Sequence, residues 1–283
     1  PDGQSLQGHL LYQGLLHNGI NAIPCHFKDS VQKEFYLRHF KPDVVIGVGF
    51  WGNVPEIIQE PLKWGVTPVP WFNADGWVAN YHNEFDQLKL MFTTSEWVRS
   101  VYKRDGVDVS KIIPMHIGID TDLFKPKHNK EELLGLRRML GVRDHEKMIL
   151  TMGGDVTSKG AQEMMIALAQ IDKEFKDWKY VCKSWPSENA SHWREKEERL
   201  AEELGIREKV IFLDDAWSPE FMADVINTCD IYAAPSRIEG FGMIQVEAMA
   251  CGKPVISIDE MGPKETILHG ETGFLAKVAS TVD

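Results

Sequence analysis

The chain has 283 residues, 43% hydrophobic and 26% charged, and a net charge of −11. This is the composition of a globular protein with one large core or two ordinary ones, and no apolar run approaches the roughly 20 residues that span a bilayer. Residues 1–128 hold 12 basic and 14 acidic side chains, net −2, leaving 19 and 28, net −9, for residues 129–283. Such acidity argues against a nucleic-acid partner and offers no general attraction to anionic lipid, so membrane association is not indicated.

Periodicity predicts strand and helix in alternation. An amphipathic helix is expected over residues 5–18, a strand over 20–26 and a helix near 31–40. Next come strand 44–48, helix 55–64, and strands 66–72 and 90–94. In the second half, strand 148–153 precedes a helix whose apolar positions Met164, Leu168, Ile171 and Phe175 follow helical spacing. Strand 180–182, the charged helix 191–204, strand 210–213 and helix 219–228 follow. The last elements are strand 230–234, helix 244–250 and strand 254–258. Short apolar strands separated by helices predict parallel sheets covered on both faces. The elements fall into two sets around a polar stretch at 125–146. The expectation is therefore two doubly wound, Rossmann-like α/β domains, 1–128 and 129–283, facing across a cleft with ligands at the carboxyl ends of the strands. Both ends read as cut from a longer protein: a helix opens the first domain where a strand is expected, and a further element is expected after residue 275.

Cys25, Cys182, Cys229 and Cys251 show no CxxC spacing and sit among small or apolar neighbours, as buried thiols of a reducing, cytoplasmic compartment would. Ten histidines show no paired ligand spacing, so no metal site is expected. The most telling segment is 236–255, SRIEGFGMIQVEAMACGKPV. An apolar strand runs into a turn with Gly240 and Gly242, and an apolar helix follows. Glycines allow close backbone approach to a ligand, and the helix turns its free N–H groups and positive dipole end toward the same point. Glu239 before the turn and Glu247 inside the helix can then face one ligand, and carboxylates accept well from paired hydroxyls. Either glutamate alone reads as a solvated surface residue; the combined pattern is what carries information.

That segment resembles the Glu-x7-Glu signature of the family 4 retaining glycosyltransferases, which have the GT-B fold. Other stretches agree: TSEWVRSVYKRDG (94–106), IPMHIGIDTDLFKP (113–126), MGGDVTSKG (152–160), VIFLDD (210–215) and PKETILHGETGFL (263–275) each resemble a family segment. Together with 236–255 they are spread from residue 94 to residue 275. The resemblance implies a hexosyltransferase that moves a sugar from a nucleoside diphosphate sugar to a carbohydrate, lipid or small-molecule acceptor, without cofactor or metal. It places the donor on the second domain. Glu247 would receive the ribose hydroxyls and Glu239 those of the sugar. Backbone around Gly240, Phe241, Gly242, Met243 and Ile244, and the Gly153–Gly154 turn, would line the diphosphate. Lys159 falls on the family's phosphate lysine, where a fixed ammonium favours the charge that grows on the leaving diphosphate.

Two departures matter. Gly154 stands where the family has an arginine, and Lys183, at the end of strand 180–182, is the candidate replacement cation. The family's first-domain histidine has no counterpart; VPWFNADG (69–76) offers Asn73 and Asp75 there instead. With Gly3 and the aromatic Trp77 these are the acceptor-side candidates, although aromatic residues at strand ends serve equally well as core. These departures motivate an alternative reading, a nucleotide- or sugar-binding GT-B protein with little transferase activity. A second pattern, Gly47, Gly49 and Gly52 after a strand with Asp75 about twenty residues on, meets the dinucleotide fingerprint on paper. It lies on an internal strand, with Phe50 and Trp51 crowding any pyrophosphate, and is the weaker reading.

Overall fold

Short apolar, often β-branched runs build the strands, and Asp29, Ser95, Asn129 and Ser218 cap four of the longer helices, whereas glycines precede two others. The computed structural model describes residues 3–74, 76–153, 157–185 and 190–277, with backbone alone at 190–193. The chain divides into two compact units, Pro1–Gly118 and Ile119–Asp283.

The first unit opens with α1 (Gly3–His17) and α2 (Ser30–His39), the latter capped by Asp29, which accepts from the Gln32 amide at 2.9 Å. Then come β1 (Val44–Phe50), a π-helical turn over Pro55–Gln59 that continues into α3 (Glu60–Lys63), and β2 (Thr67–Asn73). The unit closes with α4 (His82–Asp86), β3 (Met91–Thr93), α5 (Glu96–Arg104) and β4 (Ile112–Pro114). The four strands form one parallel sheet in the order β1-β2-β3-β4. Ser95 caps α5 through the Val98 amide at 3.1 Å. The expected strand at 20–26 is absent: the segment is irregular, and no described strand pairs with it, so its backbone has no ladder to join.

The second unit holds α6 (Lys130–Met139), β5 (Lys147–Met152), α7 (Ala161–Ile171), β6 (Trp178–Lys183), α8 (Ala190–Glu203) and β7 (Val210–Leu213). It continues through α9 (Pro219–Thr228), β8 (Ile231–Ala233), α10 (Met243–Ala250), β9 (Val255–Ile258), α11 (Pro263–Thr266) and β10 (Gly273–Ala276). Its six-stranded parallel sheet runs β10-β9-β8-β5-β6-β7. Apolar side chains of both faces are buried. One cluster joins Leu150, Met152, Val181 and Tyr232 to Met222 and Val225 of α9 and Ala248 of α10. The other joins Ile149, Tyr180 and Cys182 to Met164, Met165 and Leu168 of α7 and Ala201 of α8. This is the doubly wound arrangement expected.

The stretch 125–146 is more than a polar linker. Asn129 caps α6 through the Glu132 amide at 3.3 Å, and the buried Arg137 donates to the Thr228 carbonyl at 2.8 Å and to Asp230 at 2.9 Å. Phe124 lies in the second unit's core, and Asn227 bonds both the Lys125 carbonyl, at 3.0 Å, and the Lys127 amide, at 2.9 Å. These contacts accord with a second unit that begins at Ile119. No helix among the described residues is long and apolar enough to cross a membrane.

Candidate active site

In the second sheet the order reverses between β5 and β8: β6 and β7 lie to one side, β9 and β10 to the other. Chain leaving the carboxyl ends of β5 and β8 therefore diverges, and such a switch point is where open parallel sheets hold ligands. The two loops that leave it are the ones singled out by sequence. After β5 comes Gly153 and, beyond the turn, Lys159; after β8 come Glu239, Gly240 and Gly242, which lead into α10.

The structure brings Lys159 and Glu239 together, with Nζ 2.6 Å from Oε2. Two close backbone passages set this up. Gly160 has φ 83°, and a Cβ there would lie 2.7 Å from the Pro235 carbonyl carbon, so the lysine loop rests on the loop that follows β8. The Arg237 amide also donates to the Ser158 carbonyl at 3.0 Å. On the far side of Glu239, the Gly262 amide donates to the Glu239 carbonyl at 3.1 Å, and a Cβ at Gly262 would sit 2.6 Å from the Phe241 Cα. Gly242 starts α10 with φ 90°, a left-handed conformation that a glycine takes without a Cβ penalty.

Glu247 lies one turn inside α10 and is only 3% exposed. Its Oε2 is fully enclosed and has no hydrogen-bond partner among the described residues. Burial alone pushes this carboxyl up to about 7, because the charged form loses its water and gains no donor. Beneath it, the Tyr232 hydroxyl donates to the Met152 carbonyl at 3.1 Å, which ties β8 to β5 across the switch point. Burial above all, then the nearby Glu239 and Glu247, holds the Tyr232 phenol well above its usual range. Gln245 also serves the site: its amide donates to the Ala234 carbonyl at 3.1 Å, where Ser257 joins at 3.0 Å, so the helix is pinned to the end of β8. Neither Tyr232 nor Gln245 was expected from sequence. A glutamine inside the apolar run MIQVEAMA was the available signal, since a buried amide must find a partner. Thr157, two residues before Lys159, donates to the buried Glu197 of α8, a further support of the loop.

Lys183 ends β6, and its backbone carbonyl accepts from the Gly153 amide at 3.0 Å. Its ammonium is wholly buried, 3.8 Å from the Trp185 ring centroid and 5.1 Å from that of Trp217, with no hydrogen-bond partner among the described residues. Burial pushes it down to about 8, against the opposing charges of Asp215 and Asp214. Gly154, the departure that made Lys183 a candidate, lies outside the described residues, as does Asp75.

The remaining acceptor-side candidates lie in the first unit. Asn73 closes β2 and accepts from the Thr94 hydroxyl at 3.2 Å, while its carbonyl accepts from Tyr102. Trp77 is 54% exposed and packs edge-on against Trp51 at 4.9 Å. Gly3 is the first residue of α1 and not part of a loop. The dinucleotide-like glycines have a different use. A Cβ at Gly47 would strike Ile57, and one at Gly49 would lie 2.6 Å from Asn53 Oδ1, so these positions let the π-helical turn press against β1. The room a pyrophosphate needs is occupied by the chain's own side chains. Among the described residues, no group of three or more His, Cys, Asp or Glu could hold a metal ion.

Known proteins share this arrangement. The D-inositol 3-phosphate glycosyltransferase of Mycobacterium tuberculosis strain H37Rv is 29% identical over 187 residues, which is 66% of this chain and 37% of that protein. This chain thus spans well under half the length of that curated relative. The structure of Anabaena HepE in complex with UDP-glucose superposes with a TM-score of 0.77 at 17% identity, covering 99% of this chain and 84% of that one. Sucrose-phosphate synthase from Thermosynechococcus elongatus gives 0.74 at 19% identity, covering 92% and 68%. These likenesses show the GT-B type of α/β fold. The family profile described as glycosyl transferases group 1 matches residues 136–283, the span that carries both loops of the switch point, and on that match the chain belongs to the group 1 glycosyl transferases.

Proposed function

We propose that this chain is the catalytic part of a retaining, metal-independent glycosyltransferase of family 4, which moves a sugar from a nucleoside diphosphate sugar to an acceptor hydroxyl. The observation that carries the reading is Glu247: a carboxylate 3% exposed, with an enclosed, unpartnered oxygen, on the first turns of the helix that leaves the switch point. A buried carboxyl without donors costs stability, and the natural donors for it are the paired hydroxyls of a ribose. HepE, which has the same fold, is known in complex with UDP-glucose, and a donor of that class fits the site.

The Lys159–Glu239 pair supplies the rest of the chemistry. In the free protein each neutralises the other. A bound donor offers Lys159 its phosphate oxygens, so the ammonium trades a carboxylate for the diphosphate. Glu239 is then free to accept from hydroxyls of the transferred sugar. As the bond between the sugar and the diphosphate breaks, negative charge grows on the leaving group beside Lys159 and the positive end of α10, and both stabilise it. That role for Lys159 is the basis for proposing that no metal is needed. Donor trials with UDP-, GDP- and ADP-sugars, run with EDTA and followed by proton NMR, test the reading. Transfer or donor hydrolysis that survives chelation and keeps the donor's anomeric configuration is expected. A divalent-metal requirement or an inverted product would overturn it.

A further inference from the structure

Lys183 is an unusual thing to find in a protein interior: a wholly buried ammonium with no hydrogen-bond acceptor among the described residues. Its stabilisation comes from two indole faces, Trp185 at 3.8 Å and Trp217 at 5.1 Å, with Asp214 and Asp215 acting from farther away. Trp217 is itself fixed edge-on against Phe221 at 5.1 Å. An apolar residue would fill this place at lower cost, so the lone cation invites a ligand explanation.

Its position agrees. Side chains alternate along a strand. Val181 packs with Met152, Tyr232 and Ala248, whereas Cys182 packs on the opposite face. Lys183 therefore emerges on the face that carries Glu247, and both indoles pack against the same cluster. It is also joined to the site through Gly153. The Gly153 amide bonds the Lys183 carbonyl, and a Cβ at Gly153 would touch Ile244 of α10 at 3.1 Å and Lys159 at 3.7 Å.

Resting on the donor reading above, we propose that Lys183, held between Trp185 and Trp217, reads the nucleobase of the donor and selects a base that presents a carbonyl oxygen, uracil or guanine, over adenine. The surroundings favour a base over the diphosphate. Indole faces carry negative charge density, which repels a phosphate but stacks well on a flat, neutral ring. An ammonium has three donors and no acceptor. It suits a carbonyl such as guanine O6 or uracil O4, and it is opposed by the amino group that adenine presents at the equivalent edge.

Calorimetric titration of the wild-type chain and of Lys183→Met with UDP, GDP, ADP and inorganic pyrophosphate tests this. The wild type is expected to bind UDP or GDP at least about tenfold more tightly than ADP. Lys183→Met, matched in volume and free of the buried charge, is expected to lose that preference by weakening the keto-base nucleotide while leaving ADP and pyrophosphate unchanged. Wild-type affinity that is equal for all three bases overturns the proposal without any variant. A loss shared by ADP and pyrophosphate overturns it in favour of a diphosphate contact, and a base preference that persists in Lys183→Met overturns it in favour of a packing role. In these three outcomes the donor reading stands; a wild type that binds no nucleotide overturns both.

Discussion

Replacing Glu247 by glutamine should change both the stability of the free protein and the pH dependence of donor binding, in opposite senses. The carboxyl is raised from its ordinary 4.5 to about 7 by burial. In the unfolded chain it ionises near 4.5. Between those two values the folded state therefore holds a proton that the unfolded state has lost. Stability from this group is fully present below pH 4.5 and is lost as pH rises through about 7. At about 1.4 kcal/mol for each tenfold change, the ionised side chain costs the fold roughly 3 kcal/mol above pH 8. Glu247→Gln should match the wild type near pH 4.5 and exceed it by ~3 kcal/mol at pH 8, read from urea unfolding at several pH values. Binding runs the other way. Ribose hydroxyls donate to the carboxylate and favour its ionised form, so nucleoside diphosphate affinity should rise with pH up to about 7 and then level off. Titration calorimetry near pH 6.5 in buffers of different ionisation enthalpy should show a proton released on binding, and Glu247→Gln should bind weakly with no release. If wild type and variant lose stability in parallel between pH 5 and 8, Glu247 is not the group that titrates. If wild-type affinity is flat across that range, the carboxylate does not meet the ligand.

Five more substitutions probe the same unit. Lys159→Met should lower kcat by about 10²–10³-fold, the usual cost of removing one charge-stabilising donor from a transition state; Glu239→Gln should also depress kcat yet leave the Kd for the bare nucleoside diphosphate within about threefold, because it frees Lys159 and touches only the sugar. Gly160→Ala should destabilise by more than the ~1–2 kcal/mol expected for a left-handed alanine, because its Cβ meets the Pro235 carbonyl; Gly205→Ala, at φ 71° with open space around it, should show that penalty alone in the same denaturation series. Lys183→Met should stabilise the free protein at pH 7 by up to about 3 kcal/mol. Its ammonium is pushed down from 10.5 to about 8, with Asp215 and Asp214 opposing, so the unfolded chain binds the extra proton between those values, and the variant's advantage should shrink as pH rises from 8 to 10.5.

Sequence revealed local structure best where local chemistry decides it. Ser218 and Pro219 cap and open α9, so its limits follow from those residues and the apolar period. Both loops of the candidate site were legible for the same reason, since glycines and carboxylates at fixed spacing survive any packing detail. What stayed hidden depends on partners distant in the chain. Residues 20–26 have strand composition, yet a strand exists only with a neighbour to pair with. Arg137 reads as a surface charge on a polar linker, but it reaches a carbonyl and a carboxylate about ninety residues away and so anchors α6 to the core. The glycines at 47, 49 and 52 fit a nucleotide motif because close approach is what glycine provides, and sequence does not say whether the close object is a pyrophosphate or Ile57. Lys183 was visible as a cation at a strand end. Its enclosure by two indoles, one from the β7–α9 connection, was not.

These hidden facts concern charge, and they share a logic. Lys159 is held by Glu239, Glu247 is poised near 7 with an unpartnered oxygen, and Lys183 rests on indole faces. Burial disfavours the charged forms of Glu247 and Lys183, while Lys159 is already paired with a carboxylate. On the proposed reading, a ligand that brings a diphosphate, a ribose and a keto base would engage Lys159, Glu247 and Lys183 at once. Binding energy then comes from relieving costs already present in the fold as well as from new contacts. The three positions should therefore couple: once Glu247 is glutamine, Lys183→Met should cost less in UDP affinity than it does in the wild type, because the base is no longer anchored through its ribose. A double-mutant cycle by calorimetry measures that coupling, and strict additivity would mean that the two residues act on the ligand independently.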